Sequence, residues 1–325
     1  MLTAVDLSGE IINLLEVDNI KYIKEREFFC PGCKGKIVLK NGSIKARHFA
    51  HKSLKNCEFY SENESQEHLQ LKMDLYKWLN YDTYAQVEYY LPEIMQIADI
   101  MVESNIALEV QCSSLSLKYL SERTLSYKKI GCSVLWLLGE NLHLGEKMNR
   151  LNMNFLYFSM NCGFYYWELH NKQKCIVLKY LIHEDLKGNL IYKEKIFPFF
   201  KGNLLDILRF PYRKQKSEVI EGKKISDMEL YISQNLRRKN GKWMELAGLY
   251  YQKGLSLRDI KNYPVQYFPL GFNYYKWLIN GSDHSSFLQI NRDLSPYYEN
   301  FIKYYKLRDK TSRQLMYPPA FYGKM

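Results

Sequence analysis

The stretch Gln86–Ser113, QVEYYLPEIMQIADIMVESNIALEVQCS, constrains this chain more than any other. It is built of apolar, β-rich runs with two carboxylates set inside them, Asp99 in QIADIMV and Glu109 in IALEVQ. Ten residues separate the two, which suits facing positions on two strands joined by a tight turn. Ser104-Asn105 is the expected turn, because Asn tolerates the left-handed region. A run such as IALEV is apolar enough to be buried, and a buried carboxylate is costly unless something pairs with it. A divalent cation meets that need, since hard cations take oxygen ligands and tolerate adjacent carboxylates. On spacing alone, Asp99 and Glu109 fit a solvent-facing pair on an ordinary meander equally well.

The flanks decide between these readings. Upstream, Glu64 to Leu79 places Leu69, Met73, Tyr76 and Leu79 at helical spacing, with Ser61 and Ser65 as candidate N-caps. Downstream, Leu115 to Ile130 is a second amphipathic segment. CSVLWLL, Cys132 to Leu138, is a short apolar run bounded by Gly131 and Gly139 and reads as a buried, parallel strand. The predicted order is helix, three strands, helix, strand.

This order, with Asp on one strand and Glu-x-Gln on the next, resembles the core of the restriction-endonuclease-like PD-(D/E)XK superfamily. The resemblance implies that Asp99 and Glu109 hold Mg²⁺ or Mn²⁺. The third motif residue of the superfamily is usually Lys, and here it is Gln111, which cannot supply charge to an attacking water or to the phosphate. His68 and Lys72 could compensate, being four apart on one face of the first helix with Glu64 one turn earlier. In the RecB-like branch a helix His joins the metal shell, which makes His68 the candidate here. Arg123 and Tyr127, again four apart, could face the same cleft and contact phosphate, or belong to an ordinary amphipathic helix.

The chain has 325 residues, enough for two or three domains that each bury a core. Seven Cys are too few and too unevenly placed for a disulfide scaffold. With no signal peptide and no long apolar run, the sequence reads as cytoplasmic, with no membrane partner. The net charge of +11 is unevenly spread. Residues 1–200 carry 24 basic and 24 acidic side chains, whereas 201–325 carry 22 and 11, so the whole excess lies in the C-terminal part. Such a patch suits a polyanion, most often nucleic acid.

Residues 1–25 read as a β-hairpin turning at Ser8-Gly9. Cys30-Pro-Gly-Cys33 then forms a knuckle in which two thiolates can point at one Zn²⁺ ion. Val38–Lys40 and Ile44–Ala46 flank Asn41-Gly42, a strong hairpin signal. Arg47-His-Phe-Ala-His51 follows, and Cys57 lies six residues further on. A CxxC followed by HxxH is a fairly specific zinc pattern. Four ligands are needed and five candidates exist: Cys30, Cys33 and His51 lead, with His48 and Cys57 competing for the fourth place. The series CPGC, HFAH, ESxxHxxxK, ADI and ExQ resembles the competence protein CoiA family over residues 1 to about 140. That resemblance implies a part in homologous recombination of incoming single-stranded DNA during natural transformation, in concert with a RecA-type recombinase or its loader.

The C-terminal half matches no motif. Residues 160–200 alternate like a small antiparallel sheet with turns at Asn171-Lys172 and Gly188-Asn189. From Ser226 the pattern is helical, with SDMELYISQNLRRKN ending at Gly241, then Lys242–Gly254 and Ser256–Tyr263 as a helix-turn-helix-like pair, and further helices over 270–281 and 295–309. Arg209, Arg213, Lys214, Lys216, Arg237, Arg238 and Lys239 are the best candidate DNA-binding patch, beside Lys72, Arg123 and Tyr127. Aromatics interleave with Lys and Arg in FNYYKW and YYENFIKYYKLR, which suits base stacking on single strands, although most of these rings are expected to pack a helical core. No phosphate-binding GxxxxGK[ST] loop is present, so no ATPase is expected.

The expected architecture is α/β (α+β): a zinc-binding β module over 1–60, a PD-(D/E)XK nuclease-like core over 61–145, and a largely helical, basic domain over 146–325. The expected activity is metal-dependent hydrolysis of single-stranded or branched DNA, with Asp99 and Glu109 on the metal, His68 completing the site and Gln111 orienting water. The alternative is a recombination mediator that keeps the nuclease fold as a scaffold, a reading that Gln111 favours. A chain that mainly joins partner proteins is a third possibility.

Overall fold

The computed structural model describes residues 1–42, 46–52, 57, 64–214, 216, 218–259, 263, 265–272, 287–308 and 312–324. The chain divides into two compact units.

The first unit comprises Met1–His143, Trp167–Leu178 and Lys195–Phe210. Its N-terminal sheet contains β1 (Thr3–Asp6), β2 (Ile11–Asn13), β3 (Phe28–Phe29), β4 (Lys36–Lys40) and β5 (His48–His51), in the order β2-β1-β3-β4-β5. The β1–β2 turn is the expected one. Gly9 adopts φ +87°, and Asp6 Oδ1 accepts from the Ser8 amide, the Ser8 hydroxyl and the Glu10 amide. Ala4, Ile12, Phe28, Cys30, Ile37 and Phe49 form its buried core. The strand expected over Ile44–Ala46 begins later, at His48, and residues 43–45 lie outside the described residues.

The core that follows contains α1 (Gln66–Leu79), β6 (Ala85–Leu91), β7 (Gln96–Val102), β8 (Ile106–Gln111), α2 (Leu117–Lys129) and β9 (Ser133–Leu138). Ser65 caps α1 by accepting from the His68 amide, and Ser116 caps α2 by accepting from the Tyr119 amide. Ser61, the other candidate cap, lies outside the described residues. Strands β6, β7 and β8 form an antiparallel meander, and α2 carries the chain across to β9, which pairs parallel with β8 from Ile106–Ser133 to Gln111–Leu138. The run expected to be buried is so from Trp136 to Leu138, while Ser133 is exposed and Val134 and Leu135 are half-buried. The turn between β7 and β8 differs from expectation by one residue. Glu103 and Ser104, not Asn105, take the left-handed conformation (φ +48° and +60°), and the Asn105 amide closes the turn on Val102 O. Two successive left-handed residues match the strand twist, and that backbone demand overrides the residue preference.

Trp167–His170 extends this core, because Glu168 pairs parallel with Leu138 of β9. The strands expected as an independent sheet, Gly163–His170, Cys175–Asp185 and Leu190–Pro198, are present, but each has residues in both units. The division expected near residue 145 is therefore replaced by an interleaved one. Gly139, just after β9, is a position of close approach: a Cβ there would lie 2.7 Å from Cys112 Sγ and 2.8 Å from Glu67 Oε1.

The second unit comprises Leu144–Tyr166, Lys179–Glu194 and Pro211–Met325. Its helices include Met228–Arg237, capped by Asp227, then Gly241–Gln252 and Ser295–Arg308. Gly241, expected to end one helix, opens the next. Much of the expected helix over 270–281, and Ile260–Asn262 of the expected segment over 256–263, lie outside the described residues. The aromatics of YYENFIKYY are core. Tyr297, Tyr298, Phe301 and Tyr305 are buried, and the Tyr305 and Tyr322 hydroxyls bond at 2.8 Å. Buried rings cannot stack on bases. Among the described residues no helix is long and apolar enough to cross a membrane.

Candidate active site

Two clusters in the first unit carry chemistry. The first is in the N-terminal sheet, where ligand atoms of Cys30, Cys33, His51 and Cys57 lie within 4.8 Å of one another. Cys30 and Cys33 sit in the loop between β3 and β4, where the Lys34 amide bonds Cys30 O. Lys34 itself is left-handed, at φ +58°. His51 ends β5, and its Nε2 lies 3.3 Å from Cys33 Sγ. His48 stands three residues earlier, outside this group, with its Nδ1 on Ala46 O at 2.8 Å. Cys57, rather than His48, therefore completes the set of four. Burial pushes the Cys30 thiol up to about 12, with the neighbouring Cys33 and Cys57 adding to the rise. Three sulfurs and one imidazole are the donor set of a closed structural site for a soft or borderline dication, and thiols held together in the protonated form lose protons when such an ion binds.

The second cluster lies where α1 faces the meander. Lys72 is fully buried and bonds three carboxylates: Glu64, Glu88 (2.7 Å) and Asp99 (3.6 Å). His68, one turn before Lys72, bonds Asp99 Oδ2 through Nε2 at 3.0 Å, and its Nδ1 lies 3.4 Å from Glu64 Oε1. Asp99 Oδ2 also accepts from the Val110 amide at 2.9 Å. Ligand atoms of Glu64, His68 and Asp99 fall within 4.8 Å of one another. Burial acts to raise the Asp99 carboxyl, but His68 and Lys72 outweigh it and hold Asp99 well below the usual carboxylate range. Glu64 behaves alike, with Lys72 as its main counter-charge. Burial acts to lower His68, and the Asp99 carboxylate reverses this and leaves it raised.

Glu109 is held differently. Arg123 Nη2 donates to both its oxygens, at 2.8 and 2.9 Å, and the Tyr127 hydroxyl donates to Oε1. Burial raises the Glu109 carboxyl, with Arg123 and Tyr127 opposing. Asp99 and Glu109 are the next residues along from the Ile100–Leu108 pair, so the register sets them on neighbouring strands at the same level. Glu109 nevertheless stands outside the Glu64–His68–Asp99 group. Gln111 turns away from it, donating through Nε2 to Ser113 O at 2.7 Å. Arg123 and Tyr127 are committed to Glu109, and Lys72 to its carboxylates, so in this arrangement none of the three presents a free surface to a phosphate.

Glu88 escapes the sequence reading. It sits in β6 with φ +52°, is buried, and accepts from the Leu2 and Thr3 amides at 2.7 and 2.8 Å as well as from Lys72. Its signal was available: a lone carboxylate in the apolar run QVEYYL, the same signature that marks Asp99 and Glu109. The surface candidates Arg209, Arg213, Lys214, Lys216, Arg237, Arg238 and Lys239 are all exposed. Arg209 belongs to the first unit and the other six to the second.

A helix on an antiparallel meander, a crossover to a parallel strand, and a buried carboxylate–histidine–lysine group at the meander define a nuclease-like, restriction-endonuclease-type core beside a small Cys/His module. Two family models match more than half of the chain: the N-terminal domain of competence protein CoiA over residues 12–60, and the CoiA nuclease-like domain over 64–210. The chain belongs to the competence protein CoiA family. Competence protein CoiA of Bacillus subtilis (strain 168) is 36% identical over 133 residues, a stretch covering 40% of this chain and 36% of that protein. The match thus spans about a third of that relative's length. No solved structure matches.

Proposed function

We propose that this chain is a metal-dependent DNA nuclease that processes single-stranded or branched DNA during natural transformation, upstream of or beside homologous recombination. One observation carries the reading: Glu64, His68 and Asp99 converge with a buried Lys72 inside a nuclease-like core. Two carboxylates and an imidazole suit Mg²⁺ or Mn²⁺ of moderate affinity. When bound there, such an ion lowers the pKa of a water and offsets charge on the scissile phosphate.

The chain's own residues supply the rest. Lys72 provides the fixed cation that Gln111 does not, reaching Asp99 from the helix rather than from the strand. It stays charged despite its burial, since the surrounding carboxylates hold its pKa well above the ordinary range against desolvation. His68 holds a proton at Nε2 or Nδ1 that metal binding must displace. Arg123 and Tyr127 fix Glu109 beside the group as a further carboxylate. The Cys30–Cys33–His51–Cys57 set is a structural zinc site, because four closed ligands leave no open position. The exposed basic residues of 209–239 and the chain's net charge of +11 draw DNA. RecA-type recombinase or its loader is the protein partner, and the cytoplasm is the compartment.

The test is cleavage of labelled single-stranded and branched DNA by the full chain in Mn²⁺, beside Asp99→Ala and Lys72→Met. Cleavage by wild type that both variants lose supports the reading. No cleavage, with all three binding DNA alike, supports the alternative: a mediator that keeps the fold as a scaffold. The observation favouring that alternative is the engagement of Glu109 with Arg123, together with Gln111 turned to Ser113.

A further inference from the structure

A third group of ligating side chains lies in the first unit, away from the residues used above. His143 follows the short helix Glu140–Leu142 after β9, and Glu168 and His170 stand two apart on the strand Gly163–His170. Residues i and i+2 of a strand share a face, and the Glu168–Leu138 pairing brings that face to the end of β9. Ligand atoms of the three residues lie within 4.8 Å of one another. The Glu168 carboxylate is almost fully buried, with about 1% of its side chain exposed, while His143 and His170 keep 20% and 25% exposed.

The distances fit a shared cation as well as a long ion pair. Glu168 Oε2 lies 3.3 Å from His170 Nε2 and 3.9 Å from His143 Nδ1. A charge-assisted N–H···O⁻ bond closes to about 2.7–2.9 Å. Ligands at about 2.1 Å from one tetrahedral ion stand about 3.4 Å apart. The observed separations straddle the second value and exceed the first. The ring orientations agree. His143 Nε2 lies 3.2 Å from Leu169 O, so it carries a proton and donates, while its Nδ1 is the atom nearer Glu168. A backbone carbonyl fixing the tautomer of a ligating His is the usual outer-shell arrangement of metal sites. The two imidazoles lie with centroids 4.2 Å apart and planes at 34°.

We propose that His143, Glu168 and His170 form a further metal site, a two-histidine, one-carboxylate set for a dication of the zinc or ferrous-iron class. Two imidazoles select against Mg²⁺ and Ca²⁺, which take oxygen ligands. Three protein ligands, two of them part-exposed imidazoles, leave a position for water or for a small anionic ligand. The ion would tie the segment after β9 to the strand beside it. That segment also meets α1, because the Glu140 amide donates to Glu67 Oε1 at 2.9 Å, one residue from His68.

The test uses the full chain loaded anaerobically with Co²⁺, read by elemental analysis and absorption, and does not depend on DNA cleavage. Cobalt on thiolates gives intense charge-transfer bands, and cobalt on nitrogen and oxygen gives only weak d–d bands, so the Cys cluster and the proposed site are read apart. The expected result is that H143N/H170N binds one equivalent less than wild type with its thiolate band intact, and that H170N alone weakens that equivalent at least tenfold. Equal stoichiometry and affinity in wild type and H143N/H170N overturns the site. A second readout on the wild-type chain is independent of how the variants fold. With ring-¹⁵N histidine, zinc added beyond the thiolate equivalent must shift two imidazole resonances together. A shift of one resonance or none overturns the proposal.

Discussion

The two clusters that flank the start of the nuclease-like core solve the same problem in opposite ways. The Cys30–Cys33–His51–Cys57 group brings together four donors that could hold a metal ion. The Glu64–Glu88–Asp99 group is already neutralised from within, by buried Lys72 and by His68. Three sulfurs and one imidazole suit a tightly held structural ion. The difference is set by one helix turn: α1 supplies His68 and Lys72 to the carboxylates.

Removing a thiolate should have the largest effect. Structural Zn²⁺ on such ligand sets contributes about 10–16 kcal/mol of binding free energy that is also folding free energy. Cys30→Ser, or chelation of the wild type, should therefore unfold the N-terminal strands while α1 and the meander persist. Hydrogen exchange over Phe28–Lys40 reads this directly, and retained protection there would remove the contrast between the clusters. Lys72→Met comes next. Breaking a buried ion pair costs about 3–5 kcal/mol, and the variant converts the second cluster into one that needs an ion. Urea unfolding should show that loss, and added Mn²⁺ should restore more stability to the variant than to the wild type. An equal response to Mn²⁺ would mean that Lys72 does not stand in for a cation.

Asp99→Ala should cost less in stability, about 1–3 kcal/mol for the unpaired groups it leaves, while taking Mn²⁺-dependent cleavage to background. The smallest effect is a pH slope. His68 has a folded pKa raised above its ordinary value of 6.5. Its contribution is therefore fully present below about pH 6.5 and is lost as pH rises through the raised folded value. The stability difference between wild type and His68→Gln should shrink with rising pH across that window, as measured by urea midpoints. A difference that grows would show that His68 is neutral in the folded state.

The carboxylates themselves were legible because each interrupts an apolar run, and the Cys and His residues because their spacing is short and local. Helix α1 was legible from its periodicity, although Leu71, Leu75 and Trp78 are buried beside the expected face. His68 and Lys72 were found by the i, i+4 rule. What Asp99 and Glu109 would each bind was not legible. Arg123 captures Glu109 from α2, fourteen residues on, and only the packing of α2 on the sheet decides that. Gln111 likewise faces Ser113 because the chain bends after β8.

By itself the sequence determined the elements, the CoiA family signature, the buried carboxylates and a Cys/His module with one ligand too many. The tertiary structure decided which ligands meet: Cys57 rather than His48, Glu64 rather than Glu109 beside His68 and Asp99, and Glu88 as a third carboxylate on Lys72. It also decided that the strands after residue 160 join the core instead of standing apart. The physical reason is the same in each case. Local patterns fix conformation and burial, which act over a few residues, whereas charge pairing inside a low-dielectric interior depends on which strands and helices are brought within a few ångströms, and that is set by register and packing.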